Sequence, residues 1–123
     1  MKGRCEMAIL DEFFTLNNGV KIPKIGFGTW LIKDESVAQH VQEAAKIGYR
    51  HFDSAQGYGN ERGVGEGMRK TGISRDDLFV TTKIKAEIKD YETAKQSIDE
   101  SLQKLDLDFM DLLLIHEIGR AHV

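Results

Sequence analysis

Apolar residues in this chain switch repeatedly between a strand spacing and a helix spacing. "FFTLNNGVKIP", Phe13 to Pro23, sets apolar positions on either side of Asn17, Asn18 and Gly19. That pattern predicts a small hairpin whose turn residues tolerate positive φ. "KIGFG", Lys24 to Gly28, is a strand candidate. Asp34 then caps a helix with Val37, Val41, Ala44 and Ala45 on one face, and Gly48 ends it. The unit repeats. "YRHFD" is a strand, Asn60 caps a helix running to about Lys70, and Gly72 closes it. "DLFVTTK", Asp77 to Lys83, is the next strand. Asp90 caps a helix with the stripe Tyr91, Ala94, Ile98, Leu102 and Leu105, and "DLLLIH", Asp111 to His116, follows as a strand.

Apolar strands alternating with amphipathic helices predict an α/β fold with a parallel sheet. One regularity goes further. Three successive strands end in Asp53, Lys83 and His116. In a barrel of βα units such ends open onto a single face, where active sites are built. In a doubly wound sheet they would spread along an edge. The convergence favours the barrel.

Composition narrows the setting. The chain has 123 residues and a formal net charge of -3, so one domain is expected. The dispersed basic residues leave no nucleic-acid footprint. No apolar window is long enough to span a membrane. Glu6, Asp11 and Glu12 interrupt any signal-peptide core. Cys5 is the only cysteine, which excludes an internal disulfide or a zinc framework and points to a reducing, cytoplasmic setting. Met7 is an alternative start.

Asp53, Tyr58, Lys83 and His116 form a coherent chemical set. A tyrosine hydroxyl is a weak proton donor at neutral pH, and a neighbouring ammonium favours its phenolate. An aspartate paired with that lysine keeps it charged and oriented. The phenol can then protonate a carbonyl oxygen as charge builds there, while a neutral histidine donates to the same oxygen. Nothing in the set is a hydride source, so a carbonyl reductase needs a nicotinamide cofactor. Taken singly, each residue has a plainer reading. Asp53 could bond loop amides, Tyr58 could be packing, and His116 could be structural. At corresponding positions of successive units they read as a site. Lys85 reads as a surface charge, and the acids of "SIDESL" as a solvated helix face. "GFGTWL" and "GVGEGM" each begin like a dinucleotide fingerprint but lack its third small residue. The glycines of the latter are expected to allow close helix-to-barrel packing. Scattered Asp, Glu and His residues show no metal-ligand spacing.

"GYRHFDSAQGYGNERGVGEG" resembles the first signature of the aldo-keto reductases. "LNNGVKIPKIGFGTW", "LFVTTK" and "SIDESLQKLDLDFMDLLLIH" resemble the same family in the same order, over about Phe14 to His116. The bacterial branch that includes the 2,5-diketogluconate reductases is the most similar. The resemblance implies the N-terminal half of a (β/α)8 TIM barrel with a β-hairpin closing its bottom. It implies NADPH as hydride donor, a small carbonyl substrate and a monomeric full-length protein. The family's catalytic aspartate, tyrosine, lysine and histidine fall on Asp53, Tyr58, Lys83 and His116. Its cofactor contacts fall on Gly28, Thr29 and Asp53, and its substrate contacts on Trp30, Tyr58 and His116.

Two other classes compete with the reductase. Some barrels resembling this family are regulatory subunits of potassium channels, and an interaction module of that kind would need no tetrad. Lys83 could also serve as a Schiff-base nucleophile, which requires a lowered lysine pKa.

A complete barrel needs eight βα units and ~250 residues, with phosphate sites after strands seven and eight. The expected strands and helices here supply less than half of that. "EIGRAHV", Glu117 to Val123, leaves the family pattern, which continues with a glutamine or tryptophan and prolines. It is also what a short-read sequencing adapter encodes, so it is expected to be a non-native tail. The 123-residue chain alone is therefore expected to show no NADPH-dependent carbonyl reduction and not to be a stable monomer. A coupled absorbance assay and sedimentation check this; turnover lost in Tyr58→Phe would contradict it.

Overall fold

A computed structural model describes residues 8–117. Cys5, Met7 and the tail after Glu117 lie outside the described residues. The chain opens with a hairpin, β1 (Phe13–Thr15) and β2 (Lys21–Pro23), paired antiparallel. Then follow β3 (Phe27–Gly28), α1 (Asp34–Ile47), β4 (His51–Asp53), α2 (Glu61–Lys70), β5 (Phe79–Ile84), α3 (Tyr91–Leu105) and β6 (Leu112–Ile115). The last four strands form one parallel sheet in the order β3-β4-β5-β6. Every crossover steps the same way, as in a barrel wall; a doubly wound sheet reverses direction at its switch point.

Local signals explain much of this. The hairpin turns where expected, but only Gly19 takes positive φ, at 87°. Asn18 instead accepts the Val20 amide through Oδ1 at 3.0 Å. Gly48 ends α1 at φ 129°, donating to Ala44 and Ala45 carbonyls. Asp90 caps α3, accepting from the Thr93 amide at 2.8 Å. The other two expected caps are corrected. The residue flanking α1 is Lys33, with Asp34 already inside the helix, and the Asn60 side chain makes no cap bond to α2. The Asp34 carboxylate reaches across instead and accepts the Gly63 amide of α2 at 2.8 Å.

The core lies between the sheet and the helices. Val37, Val41, Ala44 and Ala45 of α1, Val64 and Met68 of α2, and Leu105 of α3 pack over Phe52 and Val80. Alternation along the strands sends Phe52, Val80 and Thr82 to this helix side and Asp53, Thr81 and Lys83 to the other. Thr82 meets a buried carboxylate there, donating to Glu61 at 2.5 Å. Leu10 is buried against Gly48, just before β4, so this residue packs at the strands' N-terminal end. Phe13, Phe14 and Val20 of the hairpin are exposed.

Two expectations about packing change. The glycines of "GVGEGM" admit neighbouring helices rather than the sheet. A side chain at Gly63 or Gly67 would strike Val37, Val41 and the backbone of α1, and one at Gly65 would overlap the Leu105 carbonyl of α3. The α3 stripe is covered unevenly: Leu105 is buried, Ala94, Ile98 and Leu102 are half-buried, and Tyr91 is 74% exposed. On the edge strand β6, Leu114 and Ile115 are exposed, because no layer among the described residues lies over them. No helix among the described residues is long and apolar enough to cross a membrane.

Gly65→Ala is expected to destabilise by about 1–3 kcal/mol despite alanine's better helix propensity, because the colliding atom is backbone. Gly57→Ala, with open space at its Cβ, is expected to shift stability by less than about 0.5 kcal/mol. Denaturant midpoints of the two variants check the contrast.

Candidate active site

The site begins with sheet register. Asp53 ends β4 and pairs with Thr81, so Lys83 lies one pleat further along β5 on the same face. The Lys83 ammonium bridges the two strands. It donates to Asp53 Oδ1 at 3.0 Å and Oδ2 at 2.9 Å, and to the Ser54 carbonyl at 2.8 Å. Its side chain is 12% exposed. An ammonium so withdrawn from water needs those acceptors.

Tyr58 returns to the same spot on a 3-10 turn, Gln56–Tyr58. Its oxygen lies 3.3 Å from Lys83 Nζ, and Nζ lies 4.9 Å from its ring centre. Gly59, at φ 71°, turns the chain away again before α2. His116 follows β6, held by its amide on the Ile84 carbonyl at 3.0 Å. Its ring meets that of Tyr58 edge-on, with centroids 5.9 Å apart. Asp53, Tyr58, Lys83 and His116 thus come together.

Tyr58 and His116 line an open cleft of about 510 Å³ with Trp30, Gly57, Lys85 and Glu87. Trp30 is 67% exposed. Gly28 pairs with Asp53 in the sheet and has open space where a side chain would be. Thr29, expected at the cofactor, is fully buried. Its hydroxyl and amide both donate to the Asp53 carbonyl, at 2.8 and 3.1 Å. It holds Asp53 rather than facing the cleft.

Sequence reasoning missed several participants. Lys85, read as a plain surface charge, lines the cleft, and its amide is held by Gln56 Oε1 at 3.0 Å. The Ser54 carbonyl carries no sequence signal, since every residue has one. His51 lies two residues before Asp53 on the same face, with Nε2 2.8 Å from Thr81 Oγ1. Burial lowers its pKa below the usual 6.5, outweighing Asp53 and Asp111. Among the described residues no cluster of His, Cys, Asp and Glu could hold a metal ion.

With this geometry in place, the comparisons decide the family. A profile described as "Aldo/keto reductase family" matches residues 24–123. The chain belongs to the aldo/keto reductase family. An aldo/keto reductase crystal structure from Brucella melitensis superposes with a TM-score of 0.83 at 45% identity, covering 85% of this chain and 40% of that one. Among curated relatives of this aldo/keto reductase chain, a D/L-glyceraldehyde reductase of Hypocrea jecorina is 45% identical over 107 residues. That match spans 83% of this chain and 32% of the relative. A glyoxal reductase of Bacillus subtilis is 40% identical over 112 residues, spanning 90% of this chain and 41% of the relative. The chain therefore spans about a third to two-fifths of the length of these relatives.

The lowered pKa of His51 makes a pH prediction. The unfolded chain takes up the proton near pH 6.5 and the folded chain only lower. Between those values the unfolded state binds more protons, so stability falls as pH drops below about 6.5. His51→Gln is expected to flatten that part of a pH series of urea midpoints, and an unchanged slope would contradict it.

Proposed function

We propose that this chain carries the catalytic face of an NADPH-dependent reductase of aldehydes and ketones, with Tyr58 as general acid. One observation carries the reading. A single ammonium touches both the Asp53 carboxylate and the Tyr58 oxygen, while His116 stands edge-on to the same phenol. The relatives' names agree in kind, covering glyceraldehyde, glyoxal and, in Meyerozyma guilliermondii, an NADPH-dependent D-xylose reductase. The branch near the 2,5-diketogluconate reductases rests on the resemblance of the sequence motifs alone.

A carbonyl compound in the cleft would direct its oxygen at the Tyr58 hydroxyl and the His116 ring. A bound nicotinamide supplies the hydride to the carbonyl carbon. Tyr58 gives its proton to the oxygen as negative charge accumulates, and the product is the alcohol. The Lys83 ammonium stabilises the phenolate left behind. Asp53 keeps that ammonium aimed through both carboxylate oxygens. Thr29 holds the backbone of Asp53. Trp30 offers an apolar wall, and an N–H of His116 would orient the carbonyl. The nicotinamide end fits the residues present: Gly28 leaves the strand end beside Asp53 open to a flat ring.

A Schiff-base role for Lys83 fits poorly. Its ammonium is committed to Asp53, Ser54 and Tyr58, whereas a nucleophilic amine must be neutral. No feature of the cleft favours a non-enzymatic interaction module over the tetrad's chemistry.

In a complete barrel carrying this segment, Tyr58→Phe is expected to lower kcat by about 10²–10⁴-fold with the fold and cofactor affinity retained. Stopped-flow oxidation of NADPH with a small aldehyde reads this. Full turnover in the variant would remove Tyr58 as the acid.

A further inference from the structure

Asn60 stands where a cap for α2 belongs, yet its side chain is turned inward and fully buried. The amide nitrogen donates to two carbonyls of one loop, Thr29 at 2.8 Å and Ile32 at 2.9 Å. The amide oxygen accepts the buried Ser54 hydroxyl at 2.8 Å. These partners fix the orientation of the amide, since carbonyls only accept. The capping task passes to Asp34, whose carboxylate takes the Gly63 amide. The exchange has a chemical reason: a carboxylate can only accept, whereas holding two carbonyls needs a donor.

The two residues between those carbonyls are Trp30 and Leu31. Leu31 has φ 68° and is 80% exposed. A leucine in the left-handed region costs on the order of 1 kcal/mol or more and persists only where its surroundings impose it. Leu31 is too exposed for its own side chain to impose that conformation. The imposing contacts lie at the ends of the turn: the Asn60 amide on both carbonyls, and the Ile32 amide on the Thr29 carbonyl at 3.1 Å. Trp30, the cleft wall, is presented by this strained turn. Ser54, at the third corner of Asn60, also supplies a carbonyl to Lys83.

We propose that Asn60 is a positioning residue for substrate selection. It clamps the Thr29–Ile32 turn in its strained shape, so that Trp30 keeps a fixed place relative to the Tyr58 proton donor. The proposal deepens the reductase reading and rests on it for its kinetic consequence. Its structural consequence is independent of activity.

Trp30 is the only tryptophan in this segment, so in a complete barrel carrying it, with any further tryptophans replaced by phenylalanine, fluorescence anisotropy reports the turn directly. Asn60→Asp keeps size and shape but replaces both donors with acceptors. It is expected to lower Trp30 anisotropy at unchanged far-UV circular dichroism. In a complete barrel it is expected to lower kcat/KM by about 10- to 100-fold, mainly through KM, with the pH profile unmoved. Ser54→Ala leaves both carbonyl bonds intact and should leave anisotropy unchanged. Should Asn60→Asp fail to fold, exposed Leu31 tests the same idea. Leu31→Pro forbids positive φ and should reproduce the loss, whereas Leu31→Gly should not. Tyr58→Phe separates the two readings: it should lower turnover by about 10²–10⁴-fold and leave Trp30 anisotropy intact. Unchanged anisotropy in folded Asn60→Asp or in Leu31→Pro would overturn the clamp, as would a shifted pH profile with constant KM. Turnover surviving Tyr58→Phe would instead overturn the reductase mechanism and leave the clamp standing.

Discussion

A positive charge mostly removed from water must be met by fixed acceptors, and the Lys83 ammonium imposes that demand here. Its acceptors come from the end of the adjacent strand: the two Asp53 oxygens and the Ser54 carbonyl. The pairing therefore depends on the register of β4 and β5, in which Asp53 meets Thr81. A one-residue slip would turn Lys83 toward the helices and strand a charge among Val80 and Phe52. The same register aims the ammonium at Tyr58, so the constraint that makes the charge tolerable also sets it beside the phenol.

Behind the strands, a layer of buried polar groups keeps that register. Thr29, Ser54, Asn60, Glu61 and Thr82 are all buried, and each has a partner. Such groups are directional, unlike the apolar contacts of Val37, Val41 and Phe52 beside them. The apolar core sets how closely sheet and helices approach, and the polar layer sets which residues face each other. Three glycines of α2 bring that helix against both neighbours, which places its first residue, Glu61, and the preceding Asn60 under the ends of β3, β4 and β5.

The likeness to the Brucella melitensis aldo/keto reductase extends over 85% of this chain but 40% of that one. The exposure of Leu114, Ile115 and Tyr91 agrees with that ratio. Among the described residues these apolar positions belong to elements with a neighbour on one side only. The tetrad is nevertheless assembled within this stretch, because its members come from consecutive βα units. The face that brings these four side chains together is a local property of the barrel wall, whereas an enclosed cleft requires the whole circumference.

What the chain's pattern determined by itself was whatever depends on near neighbours. The faces of α1, the Gly48 stop, the Asp90 cap and the strand centres were legible, because each rests on contacts a few residues apart. The tetrad was legible for a related reason: strand polarity carries successive C-terminal ends to one side, so Asp53, Lys83 and His116 could be grouped before any coordinates. Tertiary structure alone decided how polar groups were shared among elements. Asp34 and Asn60 looked like caps for their own helices; each was diverted to partners 28 to 31 residues away. Thr29 was turned onto the Asp53 backbone, and the glycines of α2 met helices rather than the sheet. A side chain's nearest neighbour in sequence is only one bidder for its hydrogen bonds. Burial excludes water as an alternative, and the partner that folding brings closest takes them.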